Sequence, residues 1–401
     1  MASVQTVFRK DKLNAKGEAP IHFRLIKNRK VSYVTSGIMM PESQWDFTKN
    51  KVKTTHKNSA RLNSFLSTKY TELQDQVLEF ETINKGLTTK DLKDKIYGKE
   101  PVDFYKVTEE LLLIYLQDKK IGTHDADKTM LGKIKDFHKG KKLFFAEITP
   151  AFLSKLENYL KVKFQNKTNT IHNTLKLIRK VFNFAIKQDY IDAGINPFLK
   201  YKIKTEKTNK TYLSEDELQA IVDLQLTPET RMELHRDMFV FAANTGGLRV
   251  SDTLLLKWNN FDGSHINFTI KKTVTQSAIK LPSKVLEIIE KYKAQGKSTR
   301  YIFPMLPDDL NENEPRELDN AISSASAYIN KNLKIIAKKA GIEKPLSFHI
   351  SRHTWATRAL RKGISIDKVS KLMGHAQIRE TQIYAKIVSE ELDKAMDVFN
   401  D

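Results

Sequence analysis

The hydrophobic pattern of the first hundred residues changes from alternating to helical. Short apolar or alternating runs predict three β-strands, at 4–8, 21–25 and 31–38. The Asn28-Arg29 pair is placed to form a hairpin turn between the second and third strands. From Arg61 to Phe80, apolar residues recur at steps of three and four, which predicts an amphipathic helix. Residues 1–100 are therefore predicted to form a small sheet-plus-helix domain.

The next hundred residues carry a helical pattern. It predicts four helices, near 104–118, 124–138, 150–163 and 168–190. Thr149-Pro150 is a good helix start, because threonine can cap the first turn and proline fits the first helical position. The last helix has basic residues mostly off its apolar stripe, namely Lys176, Arg179 and Lys180. Such a flank suits a DNA backbone, although a charged helix face is as often only solvated. Residues 101–197 are predicted to be a compact helical domain.

A lysine-rich segment without an apolar period comes next and ends at a capping box over 214–217. We predict that residues 198–212 are a basic linker that lies along DNA, with contacts from Lys202, Lys204 and Lys207. Residues 213–401 have a mostly helical pattern, interrupted by a strand pair near 265–282. The predicted fold is therefore mainly α with small β elements.

Composition and charge narrow the classes of partner. The formal net charge is +20, with a sequence pI near 9.6. Successive hundreds of residues carry +8, +7, +4 and +1, so the positive charge is concentrated in the first half of the chain. Such a balance favours nucleic acid or an anionic membrane, although a lysine-rich surface can also serve solubility alone. The absence of cysteine excludes disulfides and thiolate metal sites, and no apolar run predicts a signal peptide or membrane span. We expect a cytoplasmic, nucleoid-associated protein.

Two arginine motifs occur in the last predicted domain. "TGGLRVSD" places Arg249 directly after two glycines, with Asp252 one helical turn away and able to pair with it. In "HISRH", His349 and Arg352 share a helix face and can address the same phosphate. His353 follows His349 by four residues, but the glutamate of the zinc-protease pattern is missing, so no metal is expected. His353 is expected to pack or to form a hydrogen bond.

A third motif, "LMGHAQIRETQIYAK", combines a histidine with a tyrosine. Gly374 is expected to end a helix that begins near Ile366, which leaves His375 in a loop. Tyr384 comes nine residues after His375, on a following helix. A lone tyrosine between apolar neighbours is usually a core residue. Its interpretation therefore depends on the other motifs.

The motifs in combination resemble the tyrosine recombinase, or phage-type integrase, family. Their order is Arg249, Lys272, His349-x-x-Arg352, Gly374-His375 and Tyr384. The twenty-three residues from Arg352 to His375 and the nine from His375 to Tyr384 fit that family. "RHTWATRAL" and "TQIYAKI" are similar to integrases of Bacteroidetes mobile elements. The likeness covers essentially the whole chain, and it implies an arm-type DNA-binding domain, a SAM-like core-binding domain and a mixed α/β catalytic domain.

The resemblance implies a chemistry and a role for each matched residue. The reaction is cleavage and rejoining of double-stranded DNA through a 3′-phosphotyrosine, with no metal, ATP or other cofactor. Arg249 and Arg352 would hold the scissile phosphate, and His375 would hydrogen-bond one of its oxygens. His349 would accept or relay the proton of the nucleophile Tyr384.

The lysine of the family lies in a turn between two strands, where it would protonate the departing 5′-oxygen. Three lysines are available in "TIKKTVTQSAIKLP", namely Lys271, Lys272 and Lys280. We choose Lys272 because it opens the predicted turn, with Lys271 as the alternative.

The resemblance also implies partners. They are core and arm sites on double-stranded DNA, a homotetramer in the synaptic complex and helper proteins that bend DNA or set direction. Sheets can lie in a DNA groove, and Arg24 and Lys27 are the candidate contacts on the second strand, although a solvated sheet is equally compatible. "VSEELDKAMDVF" after Tyr384 is predicted to be an amphipathic helix that packs on a neighbouring subunit or on its own domain.

Several other functions share part of this pattern. Integration and excision of a mobile element is the leading hypothesis, and a DNA invertase of the same family is an alternative. A type IB topoisomerase has the same catalytic residue types, but a separate arm-like domain favours an enzyme that bridges DNA sites. A non-catalytic DNA-binding regulator would be expected to have lost at least one of the catalytic residues.

Overall fold

The computed structural model describes residues 2–27, 29–83, 89–97, 101–207 and 210–385. The chain divides into two compact units, Met1–Glu206 and Lys207–Asp401. Both consist mainly of helices, with small antiparallel sheets, as the sequence predicted. Two expectations, the turn residue Asn28 and the helix after Tyr384, lie outside the described residues.

The first unit begins with a three-stranded antiparallel sheet in the order β1-β2-β3. Its strands are β1 (Ser3–Phe8), β2 (Glu18–Lys27) and β3 (Lys30–Pro41). Alternate residues of β2, including Ile21, Phe23 and Leu25, are fully buried against two helices and a short hairpin. These are α1 (Ser59–Ile83), α2 (Thr89–Ile96), β4 (Trp45–Asp46) and β5 (Lys51–Val52). The period of two therefore determines which face of the sheet is in the core.

The rest of the first unit is a four-helix domain. Its helices are α3 (Phe104–Gln117), α4 (Ile121–Phe137), α5 (Pro150–Phe164) and α6 (Thr168–Lys187). The predicted start of α5 is confirmed, because the hydroxyl of Thr149 accepts a hydrogen bond from the Phe152 amide at 3.2 Å. Tyr201 and Ile203 pack against this core. The first part of the lysine-rich segment therefore packs on the helical domain through alternate residues. Two apolar residues are too few to reveal a period in the sequence.

The second unit surrounds one central helix. Its elements are α7 (Glu215–Asp223), α8 (Arg231–Asn244), α9 (Val250–Leu254), β6 (His265–Ile270), β7 (Thr275–Lys280), α10 (Ser283–Gln295), α11 (Pro315–Lys339), α12 (Phe348–Arg361) and α13 (Ile366–Met373). Helix α8 is buried along most of its length and contacts α7, α10, α11 and α12. The predicted capping box begins α7, since Ser214 and Glu217 exchange hydrogen bonds of 3.1 and 2.7 Å. No helix among the described residues has the length and apolar character needed to span a bilayer.

Candidate active site

Two glycine turns bring separate parts of the second unit together. Gly247 has a φ of 63°, and a Cβ on it would lie 3.0 Å from the Cα of Arg352. Gly374, with the same φ, ends α13 and lies so close to β6 that a Cβ would come within 2.1 Å of Ile270 Cδ1. Glycine is favoured at both turns, because another residue would be strained at this positive φ and its Cβ would press on the neighbouring residue. The loop before α9, helix α12, the end of α13 and the β6–β7 hairpin are thereby packed around one site.

Arg352 is held by the main chain of two of these segments. It is only 3% exposed, and its Nη1 donates to the carbonyl of Gly247 at 2.7 Å. Its Nη2 donates to the carbonyl of Met373 at 2.6 Å. Burial, followed by the nearby charge of Arg249, lowers the pKa of Arg352 to about 10. The guanidinium is therefore cationic at neutral pH and fixed in position.

Arg249 is the N-cap residue of α9, and one nitrogen of its guanidinium makes no hydrogen bond to the described residues. Its Nη1 is buried and has no hydrogen-bond partner among the described residues. The expected pairing with Asp252 is at the limit of an ion pair, with 3.9 Å between Nη1 and Oδ2. Asp252 instead accepts a hydrogen bond of 3.0 Å from the main-chain amide of Lys271. The carboxylate therefore connects α9 to the β6–β7 turn more directly than it orients Arg249.

The β6–β7 turn, residues 271–274, contains the two candidate lysines. The positive charge of Lys272 contributes to lowering the pKa of both His349 and His375. Lys271 has different surroundings: burial lowers its pKa, and the charges that oppose this are those of Asp319, Asp252 and Glu312. Electrostatic proximity to the histidines therefore favours Lys272 over Lys271 as the lysine of this site.

His375 follows the glycine turn at the end of α13 and is partly buried. One ring nitrogen, Nδ1, is 2.7 Å from the hydroxyl of Thr381, a fully buried residue. Burial, then the charges of Arg352, Arg249 and Lys272, lowers the pKa of His375 to about 4. The ring is therefore neutral at pH 7, with its position set by Thr381. The contribution of Thr381 was not predicted, since the sequence contains no signal for this contact.

Tyr384 is a buried residue whose hydroxyl contacts a histidine. It lies in the helical residues 382–385, is 2% exposed and has its Oη 2.7 Å from Nδ1 of His353. Burial raises the pKa of the phenol to about 12, although the charges of Arg352 and Arg249 act in the opposite direction. The phenol is therefore fully protonated at neutral pH.

His349, which the resemblance implied would accept or relay the phenolic proton, is not the residue that contacts the phenol. The hydrogen-bond partner of Tyr384 is His353, one helical turn further along α12, because that turn faces the segment that carries the tyrosine. The ring of His349 packs edge-on against that of His353, with 4.5 Å between ring centroids, and His349 is exposed to solvent. No group of three or more His, Cys, Asp or Glu side chains in the described ranges is arranged to hold a metal ion.

The two predicted DNA contacts of the sheet lie on opposite faces of β2. Arg24 points to the face away from the core, and its Nε is buried without a hydrogen-bond partner among the described residues. Lys27 is only 7% exposed, because it has the same parity as the buried Ile21, Phe23 and Leu25. Burial removes Lys27 from the candidate DNA contacts, which corrects the expectation.

The basic residues of α6 and of the following segment also differ among themselves. Lys180 forms an ion pair with the buried Asp127, and its ammonium lies 5.6 Å from the ring of Tyr115. This internal pairing makes Lys180 a poor DNA contact, contrary to expectation. The other five predicted contacts of this set are exposed, namely Lys176, Arg179, Lys202, Lys204 and Lys207.

Comparisons with known families match nearly the whole chain. The match described as "Phage integrase family" covers residues 211–391, "Arm DNA-binding domain" covers 6–93 and "Phage integrase SAM-like domain" covers 103–203. These three matches confirm the predicted fold class.

Curated relatives are tyrosine recombinases. The chain is 27% identical to tyrosine recombinase XerC of Pelotomaculum thermopropionicum over 56% of its own length and 72% of the relative. It is 24% identical to a XerC-like tyrosine recombinase of Caldanaerobacter subterraneus, over 67% and 76% of the two chains. A shorter match, over 36% of this chain and 48% of the relative, is 33% identical to XerD of Listeria monocytogenes.

Solved structures share the fold at low sequence identity. A lambda integrase tetramer bound to a Holliday junction aligns over 93% of each chain, with a TM-score of 0.53 and 17% identity. The Tn1549 transposon integrase in complex with transposon right-end DNA aligns over 75% of this chain and all of its own, with a TM-score of 0.53 and 16% identity.

Proposed function

We propose that the chain is a tyrosine recombinase that cleaves and rejoins double-stranded DNA at specific sites, with Tyr384 as the nucleophile. The matches to the phage integrase family and to curated tyrosine recombinases support this proposal. The observation that carries this proposal is the buried Nη1 of Arg249, which has no hydrogen-bond partner among the described residues and lies beside Arg352, where Lys272, His375 and Tyr384 also converge. A buried donor without a partner costs about 1–3 kcal/mol. Binding of a phosphate oxygen would remove that cost.

The two arginines provide the phosphate site. Arg352 is positioned by the carbonyls of Gly247 and Met373, so its guanidinium need not reorganise when DNA binds. Arg249 contributes its free donor, and His375 contributes the ring nitrogen that does not contact Thr381. Fixed donors of this kind stabilise the charge that develops on the non-bridging oxygens in the transition state.

Tyr384 and Lys272 act on opposite sides of the phosphorus. The Tyr384 oxygen forms a bond to phosphorus, and the bond to the 5′-oxygen breaks as Lys272 gives that oxygen a proton. The phenolic proton passes to the histidine pair of α12, which adjoins the hydroxyl. The product is a 3′-phosphotyrosine and a free 5′-hydroxyl, one phosphodiester exchanged for another. A partner strand can then attack without an energy source such as ATP.

The phenol does not ionise before DNA is bound. With a pKa of about 12, only about one molecule in 10⁵ is a phenolate at pH 7. Cleavage therefore requires proton removal as the phosphorus is attacked, so the resting enzyme is protected from unwanted reaction.

The domain matches support a larger assembly on DNA. We propose that the sheet-plus-helix domain binds arm sites and the helical and catalytic domains bind core sites, so that one chain bridges two DNA segments. Four copies would form the synaptic complex, a number that agrees with the lambda integrase tetramer bound to a Holliday junction. The proposed context is integration and excision of a mobile element of the Bacteroidetes type, in the cytoplasm at the nucleoid, with DNA-bending or directionality helpers.

The decisive experiment traps the covalent intermediate. A nicked suicide substrate that loses its 5′-hydroxyl strand should give a protein–DNA adduct with the wild type, and Tyr384→Phe should give none while binding DNA equally well. Tyr190→Phe is the matched control, since this half-exposed tyrosine lies in the first unit and should retain adduct formation. Adducts in the Tyr384→Phe variant, or none in the wild type on its own excision-junction DNA, would refute the proposal.

A further inference from the structure

One residue outside the matched catalytic motif touches the reacting oxygen. Nδ1 of His353 is 2.7 Å from Tyr384 Oη, and both residues are buried, with 6% and 2% exposure. The phenol is protonated at neutral pH, so its O–H donates and Nδ1 accepts. A neutral imidazole is therefore in hydrogen-bonding contact with the proton that must leave.

We propose that His353 is a further catalytic residue, which takes the phenolic proton as Tyr384 attacks the scissile phosphorus. The inference rests on the proposed function. As the Tyr384–phosphorus bond forms, the phenol proton moves to Nδ1 of His353 and leaves an imidazolium. Lys272 protonates the departing 5′-oxygen in the same reaction, so the number of protons at the site is conserved. In the rejoining step His353 returns its proton to the tyrosine.

The groups around His353 fit this role. The charged or titratable neighbours that act on it are His349 and Arg352 on α12, Lys210 in the segment before α7, and Tyr384 itself. Burial first, and then these neighbours, lowers its pKa to about 4, which keeps the ring in the proton-accepting form before DNA binds. A bound phosphate would offset the positive charge of Arg352 and so raise the proton affinity of the imidazole when it is needed.

His349 is the neighbouring histidine of His353 on α12. Its ring is perpendicular to that of His353 at 4.5 Å between centroids, and its other side is exposed. The charge of His349 contributes to lowering the pKa of His353, so His349 favours the neutral, proton-accepting form of that ring before attack. This arrangement gives His349 an indirect part in the proton transfer, for which the family resemblance implied that it accepts or relays the proton.

The test separates a proton acceptor from a packing residue. His353→Asn places an amide near the position of Nδ1, which can still hydrogen-bond the phenol but cannot take a proton at neutral pH. We expect the single-turnover cleavage rate on suicide DNA to fall about 10²–10³-fold, with unchanged DNA affinity. A cleavage rate within threefold of wild type would overturn the inference.

Two further readouts exclude a purely structural effect. The acid limb of the wild-type pH–rate profile, which reports protonation of an imidazole, should disappear in His353→Asn. A substrate with sulfur in place of the scissile 5′-oxygen has a leaving group that needs no acid, so it should rescue Lys272→Ala but not His353→Asn. Rescue of His353→Asn by the sulfur substrate, or an unchanged acid limb, would count against proton acceptance.

The outcomes also distinguish this inference from the proposed function. If the wild type forms no adduct, the recombinase proposal fails. If it forms adducts that do not depend on His353, only the present assignment fails. Retained thermal unfolding and circular dichroism of His353→Asn show that the variant is folded. If the His353→Asn variant does not fold, the same measurements are made on His353→Gln.

Discussion

Gly247 allows a quantitative test of how the proposed phosphate site is built. In Gly247→Ala the residue keeps a φ of 63°, and the new Cβ lies 3.0 Å from Arg352 Cα and 3.2 Å from its Cγ and carbonyl oxygen. The left-handed conformation alone costs a residue with a Cβ about 1–2 kcal/mol. Forcing a methyl group into a packed contact adds about 1–3 kcal/mol. The expected loss of stability is therefore about 2–5 kcal/mol.

Gly341→Ala is the matched control. Gly341 has a φ of 70°, yet a Cβ there would meet nothing within 4 Å, so only the conformational cost of about 1–2 kcal/mol applies. The difference between the two variants isolates the contact with Arg352.

Urea unfolding of the full chain measures both stabilities, with Trp258 and Trp355 as fluorescent reporters of the second unit. Suicide-substrate cleavage measures the effect on Arg352. Gly341→Ala should retain cleavage, whereas Gly247→Ala should lose at least tenfold in rate even where it is folded. Equal destabilisation of the two variants, or wild-type cleavage by Gly247→Ala, would refute the idea that this turn positions Arg352.

Two other predictions concern the lysines and the acid stability of the second unit. Lys272→Ala should reduce the cleavage rate by about 10²-fold or more, whereas Lys271→Ala should have a smaller effect; the reverse order in a single-turnover assay would exchange their assignments. His235 is fully buried and its pKa is lowered to about 4, mainly by burial. Because the unfolded chain takes up this proton near pH 6.5 and the folded chain only near pH 4, stability should be fully present above pH 6.5 and fall as the pH decreases. Between pH 7 and pH 4.5, urea unfolding should show a loss of stability that is about 2–3 kcal/mol smaller in His235→Gln than in the wild type, because His353 and His375 contribute to the loss in both proteins. Equal losses in the two proteins would exclude His235 as a contributor.

Much of the fold follows from local signals in the sequence. The helix starts at Thr149 and Ser214 and the end of α13 at Gly374 depend on residues within a few positions, and all three were predicted. The alternation in β2 predicted the strand. The same alternation could also have predicted that Lys27 is buried, because Lys27 lies two residues beyond the buried Leu25 and therefore on the same face of the strand.

The contacts within the site could not be predicted in the same way. The sequence indicated which residue types converge, but the partner of Tyr384 depends on which turn of α12 faces it, a question of packing between elements. The pairing of Lys180 with Asp127 joins residues 53 positions apart, and no local pattern reports it. The hydrogen bond from the Lys271 amide to Asp252 is likewise a long-range contact. It takes the place of the local pairing between Asp252 and Arg249 that the sequence suggested. Tertiary geometry therefore decides the roles of side chains whose types the sequence already identifies.

The two hydrogen bonds from the Arg352 side chain to main-chain carbonyls have a consequence for biosynthesis. They join residues 105 and 21 positions away, so the guanidinium has no defined location until the chain has emerged as far as Met373 and has folded back onto the loop at Gly247. A nascent or partly unfolded polypeptide lacks a complete anion cradle, even though the individual arginines are already present. The proposed phosphate site is therefore complete only in the finished tertiary structure, so a chain that is still being synthesised or is partly unfolded cannot yet hold a phosphate in this way.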